Sequence, residues 1–264
     1  MRRARTAVLS TALLALTTTA LATDTAHATA TATDYVALGD SYSAGGGSAT
    51  SYLNGCNQST NAYPYLYAQA TSPTAFSFQA CGGATTTDVL DDQLTPLSTS
   101  TTLVSMTIGG NDVGLAGVFG SCLLGSDSAC LDAISSAGTT ANTQLPAKLD
   151  TVYSAIRSRA ANARVVILGY PRFYDLAASF CPGMSATKRA ALNKGADVLN
   201  SVIRTEAAKY PGFVFEDVAD RFTGHQLCDS TAWMHALNWP IGQSFHPTAA
   251  GQAGAYLPAL QAGA

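Results

Sequence analysis

The sequence predicts an α/β fold, three layers doubly wound around a five-stranded parallel sheet, on three observations. Short apolar runs at residues 35–38, 76–78, 103–108, 164–168 and 213–215 recur along the chain, each of strand rather than helix length. Helical stretches separate them at residues 63–70, 87–94, 139–161 and 185–209, and a last one follows at 248–260. Strands joined through helices pair in parallel and are covered on both faces. Glycine-containing segments follow the first three runs, where an open α/β sheet presents its functional loops. The strand order 2-1-3-4-5 is expected by analogy with other five-stranded doubly wound sheets.

Ahead of the first strand, Arg2, Arg3 and Arg5 precede an apolar, threonine-rich stretch from Ala7 to Ala22 and an Ala26-His27-Ala28 segment. These are the three parts of a secretory signal. Arg2-Arg3 hints at twin-arginine export, but the residues that should follow are missing, so general secretion is expected. Cleavage after Ala28, with Ala30 the alternative, leaves residues 29–264. That length suits one well-packed domain and is too short for two of ordinary size. No later apolar run is long enough to span a bilayer. The expected product is soluble, extracellular and, as a small disulfide-bonded domain, monomeric.

The elements follow in order. Tyr35-Val36-Ala37-Leu38 is apolar throughout, as a strand buried on both faces is. Phe76-Ser77-Phe78 is a weak strand, residues 103–108 a good one, residues 164–168 the strongest and residues 213–215 the fifth. The helix expected from Ser185 gathers Ala190, Leu192, Ala196, Leu199, Val202 and Ile203 on one face. The interval from Gly114 to Gly138 breaks the alternation. It is rich in Gly and Ser and holds the close pair Cys122 and Cys130, so a stapled excursion over one rim of the site is expected. There is no internal repeat and no linker.

Removing residues 1–28 lowers Lys+Arg from 14 to 11 and Asp+Glu from 17 to 16, which moves the net charge from −3 to −5. A mildly acidic chain with no basic stripe argues against a nucleic-acid partner. The 6 cysteines, Cys56, Cys81, Cys122, Cys130, Cys181 and Cys228, all lie beyond the signal. An even count in a secreted chain points to three disulfides among fifteen possible connectivities. Sequential pairing, Cys56–Cys81, Cys122–Cys130 and Cys181–Cys228, closes the shortest loops. A zinc site is disfavoured, because no C-x-x-C occurs and no His lies at ligand spacing from a Cys.

The candidate chemistry sits where the first three strands end. Gly39-Asp40-Ser41 follows the first strand, and Ser41 is the candidate nucleophile. A serine hydroxyl needs a base and an anion-stabilising pocket. Ala80-Cys81-Gly82-Gly83-Ala84 follows the second strand and Gly109-Gly110-Asn111-Asp112 the third. The glycines permit close approach of backbone N–H groups, and Asn111 adds an amide donor. Beyond the signal the histidines are His225, His235 and His246. His246 stands before Pro247 and a helical pattern, after the fifth strand and on the same sheet edge, with Pro247 expected at the first helical position. It is the expected base. Gly39-Asp40-Ser41 alone reads equally well as a β-turn, Gly82-Gly83 alone as a tight turn beside a disulfide, and Gly109-Gly110-Asn111-Asp112 alone as a turn or helix cap; their order along the chain, each at a strand's carboxyl end, decides for catalysis.

In that combination the chain resembles the SGNH, or GDSL-type, hydrolase family, whose fold is flavodoxin-like. The resemblance spans residues 35–259 through Gly39-Asp40-Ser41, Gly83, Gly109-Gly110-Asn111-Asp112 and His246. The longer Gly39-Asp40-Ser41-Tyr42-Ser43-Ala44-Gly45 block, the Ala-Cys-Gly-Gly-Ala segment and the six cysteines are most similar to secreted actinomycete lipases and esterases of that family. The resemblance implies Ser41 as nucleophile and first oxyanion donor, Gly83 as a backbone donor with Gly82 the fallback, Asn111 as a side-chain donor and His246 as base. It also implies an Asp three residues before the His, and here that position is Gln243. Some relatives use a main-chain carbonyl instead, which would be that of Ser244, or failing that Gln243, unless a carboxylate such as Asp229 reaches the ring.

The expected activity is therefore a secreted serine ester hydrolase, a lipase or esterase acting on fatty acyl esters, with no metal or organic cofactor. Tyr42, Phe119 and Trp239-Pro240-Ile241 supply apolar material for an acyl chain. Phospholipase A and polysaccharide acetylesterase are the alternatives on the same site, and a secreted binding module without turnover is the alternative of another class.

Overall fold

The structure is a computed structural model that describes Met1 and residues 33–264. The signal sequence expected at residues 1–28 thus lies outside the described residues, apart from Met1. The described residues from 33 to 264 fall in one compact unit. The strands are β1 (Asp34–Gly39), β2 (Ala75–Phe78), β3 (Leu103–Thr107), β4 (Arg164–Leu168) and β5 (Phe213–Glu216). They form one parallel sheet in the order β2-β1-β3-β4-β5. The strands β1, β3 and β4 take the buried centre, and the runs of β2 and β5 take the edges, where they are only partly buried. The chain moves to one side of β1 for β2 and to the other for β3. That reversal opens a crevice beyond the carboxyl ends of the strands.

The first helices are α1 (Ser41–Ala44), α2 (Tyr63–Thr71) and α3 (Thr86–Asp88), the last continuing as a π turn over Val89–Gln93. Next come α4 (Leu115–Leu124), α5 (Asp127–Thr143), α6 (Leu145–Arg159) and α7 (Ala186–Ala207). The C-terminal helix comprises α8 (Ala249–Gly251), a π turn over Gln252–Tyr256 and α9 (Leu257–Gly263). It packs with α2 on one layer, while α5, α6 and α7 pack together on the other. In α6 the fully buried residues Leu145, Leu149, Val152, Tyr153 and Ile156 recur at helical spacing and form its core face.

Two expectations need correction. The Gly114–Gly138 interval, expected only as a stapled excursion, is a helical hairpin of α4 and α5. Its glycines and serines lower helix propensity, but Val118, Phe119 and Cys122 are buried in the core. Lys188 from α7 donates to Cys122 O and Gly125 O, both at 2.8 Å, and so satisfies carbonyls at the end of α4. The single helix expected over 139–161 is two, broken at Gln144. Pro146, in the first turn of α6, lacks an N–H and biases Leu145 away from continuing α5.

The disulfides are Cys56–Cys81, Cys122–Cys130 and Cys181–Cys228, the sequential pairing. Cys122–Cys130 staples the α4–α5 hairpin. Cys56–Cys81 anchors the loop after α1 to the segment that carries Gly82 and Gly83, and Gly82 N–H donates to Cys56 O at 2.8 Å. Its partners are 25 positions apart, so on the chain-entropy model the double replacement Cys56→Ser/Cys81→Ser costs about 3.5 kcal/mol. The expected result is a fall in melting temperature of roughly 7–14 °C, read by calorimetry; a fall under about 2 °C would contradict it.

Candidate active site

The apolar run of β1 ends at Gly39, whose φ is +120° and where a Cβ would collide with the Thr107 carbonyl. A glycine is required for the chain to turn this tightly against β3. Asp40 then caps α1, its Oδ1 accepting from Tyr42 N–H at 3.0 Å. Ser41 is thereby the first residue of α1, and among the described residues its N–H has no protein acceptor. Ser41 Oγ lies 2.7 Å from His246 Nε2, and His246 Nδ1 lies 2.9 Å from Ser244 O. The Ser244 carbonyl only accepts, so Nδ1 carries the proton and Nε2 is left to accept from the Ser41 hydroxyl.

The His246 loop is held from several sides. Phe245 adopts a left-handed conformation with φ 61°, which an L-residue keeps only when its neighbours enforce it. Its N–H donates to His235 O at 2.8 Å, its carbonyl accepts from Tyr42 OH at 2.7 Å, and its ring stacks on Phe119 at 4.1 Å. His235 N–H donates to His246 O at 3.0 Å and its Nε2–H to Gly47 O at 2.8 Å. A Cβ on Gly47 would lie 2.8 Å from that of His246, so the loop after α1 passes directly against the histidine. Pro247 is not at the first helical position as expected. It pairs with Met234 in an antiparallel bridge, and Thr248 is the N-cap of α8.

Gln243, where the family pattern would have an acid, does not reach the His246 ring with its side chain; only its carbonyl meets that residue, accepting from His246 N–H at 3.3 Å. Its Nε2 donates to Ala49 O at 3.0 Å and its Oε1 accepts from Asn238 at 2.9 Å, ties that fix the loop. Asp229 is occupied elsewhere, accepting from Gln226 N–H at 2.7 Å. Burial pushes the His246 imidazole down to about 4, against the opposing effect of the Ser244 carbonyl, which favours the charged form.

The strand order sets Ser41 between the loop after β2 and the loop after β3. Asn111 Nδ2 donates to Ala84 O at 2.9 Å, which fixes the amide and leaves its second N–H free. Gly82 N–H is consumed by Cys56 O, whereas Gly83 N–H has no acceptor among the described residues. Ser41, Asn111 and His246 line one cleft of about 620 Å³. Gly83 lies outside that lining, in an adjacent polar depression with Gly82, Ala84 and Gln93; Ala84, bonded to Asn111, joins the two. Asp112 serves the frame: its carboxylate accepts from Thr86 N–H, Thr86 Oγ1 and Lys148 Nζ.

Leu115, Ala116, Phe119 and Leu123 give the cleft an apolar wall, with Tyr42 and Ile241 also in its lining. Trp239, expected to supply apolar material for the acyl chain, is not part of that lining and is 84% exposed. The sequence reading missed the groups that brace the site: Tyr42 through its hydroxyl, His235, Tyr170, and Gln93, whose amide pairs with both Gly39 N–H and Gly39 O at 2.7 and 2.9 Å. Nothing but burial beside the known segments distinguishes them, and burial is not visible in one sequence. Among the described residues no group of three or more His, Cys, Asp or Glu could hold a metal ion, and no helix is long and apolar enough to cross a membrane.

Residues 37–253 match the model of the GDSL-like lipase/acylhydrolase family. The chain is 53% identical over 250 residues to Lipase 1 of Streptomyces coelicolor, covering 93% of this chain and 92% of that protein. The crystal structure of an extracellular lipase from Streptomyces rimosus is similar at a TM-score of 0.86 and 50% identity, over 88% of this chain and 100% of that one. That of phospholipase A1 from Streptomyces albidoflavus gives 0.85 and 48%, over 88% and 100%.

Proposed function

The chain belongs to the GDSL-like lipase/acylhydrolase family and is an ester hydrolase, and from that premise we propose that Ser41 and His246 are its catalytic dyad, acting on fatty acyl esters without a carboxylate partner. The observation that carries this reading is the chain of contacts Ser41 Oγ to His246 Nε2 and His246 Nδ1 to Ser244 O, at 2.7 and 2.9 Å. His246 Nε2 takes the hydroxyl proton as Ser41 Oγ attacks the ester carbonyl. The oxygen of the tetrahedral intermediate is held by Ser41 N–H, the free Asn111 amide N–H and Gly83 N–H. The imidazolium then protonates the departing alcohol, and water, activated by the same ring, cleaves the acyl-enzyme. The Ser244 carbonyl fixes the tautomer and faces the imidazolium with its negative end.

The apolar cleft favours a long acyl chain over acetate, which sets lipase or esterase ahead of a polysaccharide acetylesterase. Phospholipase A is the second reading, supported by the likeness to the S. albidoflavus enzyme. An intact dyad speaks against a binding module without turnover. Secretion of a monomer, freed of residues 1–28, fits the three disulfides. The test is covalent labelling. A p-nitrophenyl alkylphosphonate should add one group per chain at Ser41, with ester hydrolysis lost in proportion. Full activity after labelling, or a label on another residue, would refute the assignment. The acyl length and headgroup giving the highest kcat/KM separate lipase from phospholipase.

A further inference from the structure

We infer that Tyr170 is a positioning residue for this hydrolysis, its phenol setting the spacing between the turn that carries Ser41 and the loop that carries Asn111. The kinetic consequence rests on the function proposed above; the hydrogen-bonded bridge does not. Tyr170 stands just past β4 and is 1% exposed. Its hydroxyl donates to Asp40 Oδ2 and accepts from Gly110 N–H at 2.9 Å. Asp40 immediately precedes Ser41, and Gly110 immediately precedes Asn111. One hydroxyl therefore joins the neighbours of two proposed oxyanion donors.

No other group does so among the described residues. The ladder between β1 and β3 ends at Gly39 and Thr107. Asp40 N–H adds a bond to Thr107 O at 3.0 Å, and Thr107 Oγ1 donates to Asp40 Oδ1 at 2.6 Å. Past Thr107, among the described residues, no hydrogen bond other than those of the phenol links the two loops. The phenol is itself fixed: Asn200 of α7 pairs with the Tyr170 backbone, accepting from its N–H and donating to its carbonyl, each at 2.8 Å. The ring also meets that of Tyr42 edge-on at 5.1 Å. Oxyanion donors act when they lie about 2.7–3.1 Å from the position the charged oxygen will occupy, so a brace that sets the spacing of their loops bears on the rate of the chemical step.

The bridge also acts on Asp40. Burial pushes that carboxyl up to about 6, while hydrogen bonds from Thr107, Tyr170 and the Tyr42 and Ser43 N–H groups favour its charged form. The titratable groups facing it are Tyr42 of α1, Tyr63 of α2, Tyr170 after β4 and Tyr256 of the C-terminal π turn. No cation contributes to its titration. Removing the phenol donor must raise the carboxyl further, since a hydrogen bond to the charged form is lost.

Tyr170→Phe keeps the ring and deletes the bridge. On a soluble p-nitrophenyl ester we expect kcat to fall about ten- to a hundredfold with KM changed less than about twofold. The 13C titration of the Asp40 carboxyl should move up. A second variant with 3-fluorotyrosine at 170 keeps both bonds, strengthens the donor and should move the Asp40 titration down. Unchanged kcat together with an unchanged Asp40 titration in Tyr170→Phe overturns the inference. So does a rise in KM with kcat held, which would mean that Tyr170 acts only as a wall of the cleft. A wild-type protein that hydrolyses no ester refutes the proposed function instead, and the two Asp40 titrations still decide the bridge.

Discussion

Replacing His246 by Ala is expected to lower kcat by about 10⁶-fold on esters of every acyl length, to the same floor as Ser41→Ala, with the double variant no lower. The two side chains are proposed to act as one unit. Without the base, the Ser41 hydroxyl stays protonated and attacks poorly; without the hydroxyl, the base has nothing to activate at 2.7 Å. What activity remains comes from oxyanion donors and substrate binding, which neither change touches. Losses that multiply in the double variant would mean that His246 and Ser41 serve separate steps, and the dyad would have to be abandoned.

The same histidine sets a pH expectation. Burial holds its imidazole at about 4, below the ordinary 6.5, so the base is neutral, and competent, at every pH well above about 4. A folded-state value below the unfolded one means that the unfolded chain binds the proton more readily. The stability tied to His246 is thus fully present above about 6.5 and is lost as pH falls through about 4. Asp40 works in the opposite sense. Its folded value of about 6 lies above the ordinary 3.8, so its contribution is fully present below about 3.8 and is lost as pH rises through about 6. The protein keeps this carboxyl buried at neutral pH despite that cost, because its charged form caps α1 and receives the Thr107 and Tyr170 hydroxyls.

Much of this arrangement was legible from local pattern. Leu38-Gly39-Asp40-Ser41 carries its own instructions: an apolar strand, a glycine where β3 leaves no room, a capping carboxylate and then the hydroxyl. Parallel pairing followed from helices between strands, the strand order from analogy with other doubly wound sheets, and the disulfides from the shortest loops. The α4–α5 hairpin was not legible, because Gly117, Gly120 and the serines argue locally for a loop. Its helices are set by what they bury and by Lys188, 63 positions beyond Gly125. The bracing roles of Tyr170 and of the Gln243 side chain were missed for a related reason. Their roles depend on partners 130 and 194 positions away, Asp40 and Ala49, and a lone tyrosine or glutamine has no spacing that announces such a partner.

Asn111→Ala is expected to lower kcat by about 10²–10³-fold with KM little changed. The amide is held by Ala84 O at 2.9 Å, so its second N–H is oriented before substrate arrives and needs no reorganisation when the carbonyl oxygen gains charge. A donor so placed stabilises the intermediate more than the ground-state ester, which is why the loss belongs in kcat. Asn111→Asp should be worse than Ala, because a carboxylate would face both the Ala84 carbonyl and the developing oxyanion, and like charge opposes like. Among the proposed donors Asn111 should matter most after Ser41 itself: it lines the cleft with the nucleophile, whereas Gly83 sits in the adjoining depression. Steady-state kinetics on a soluble ester give the answer. A rise in KM at constant kcat, or an Asp variant as active as wild type, would remove Asn111 from the oxyanion site and leave its amide only the task of holding the Ala84 loop.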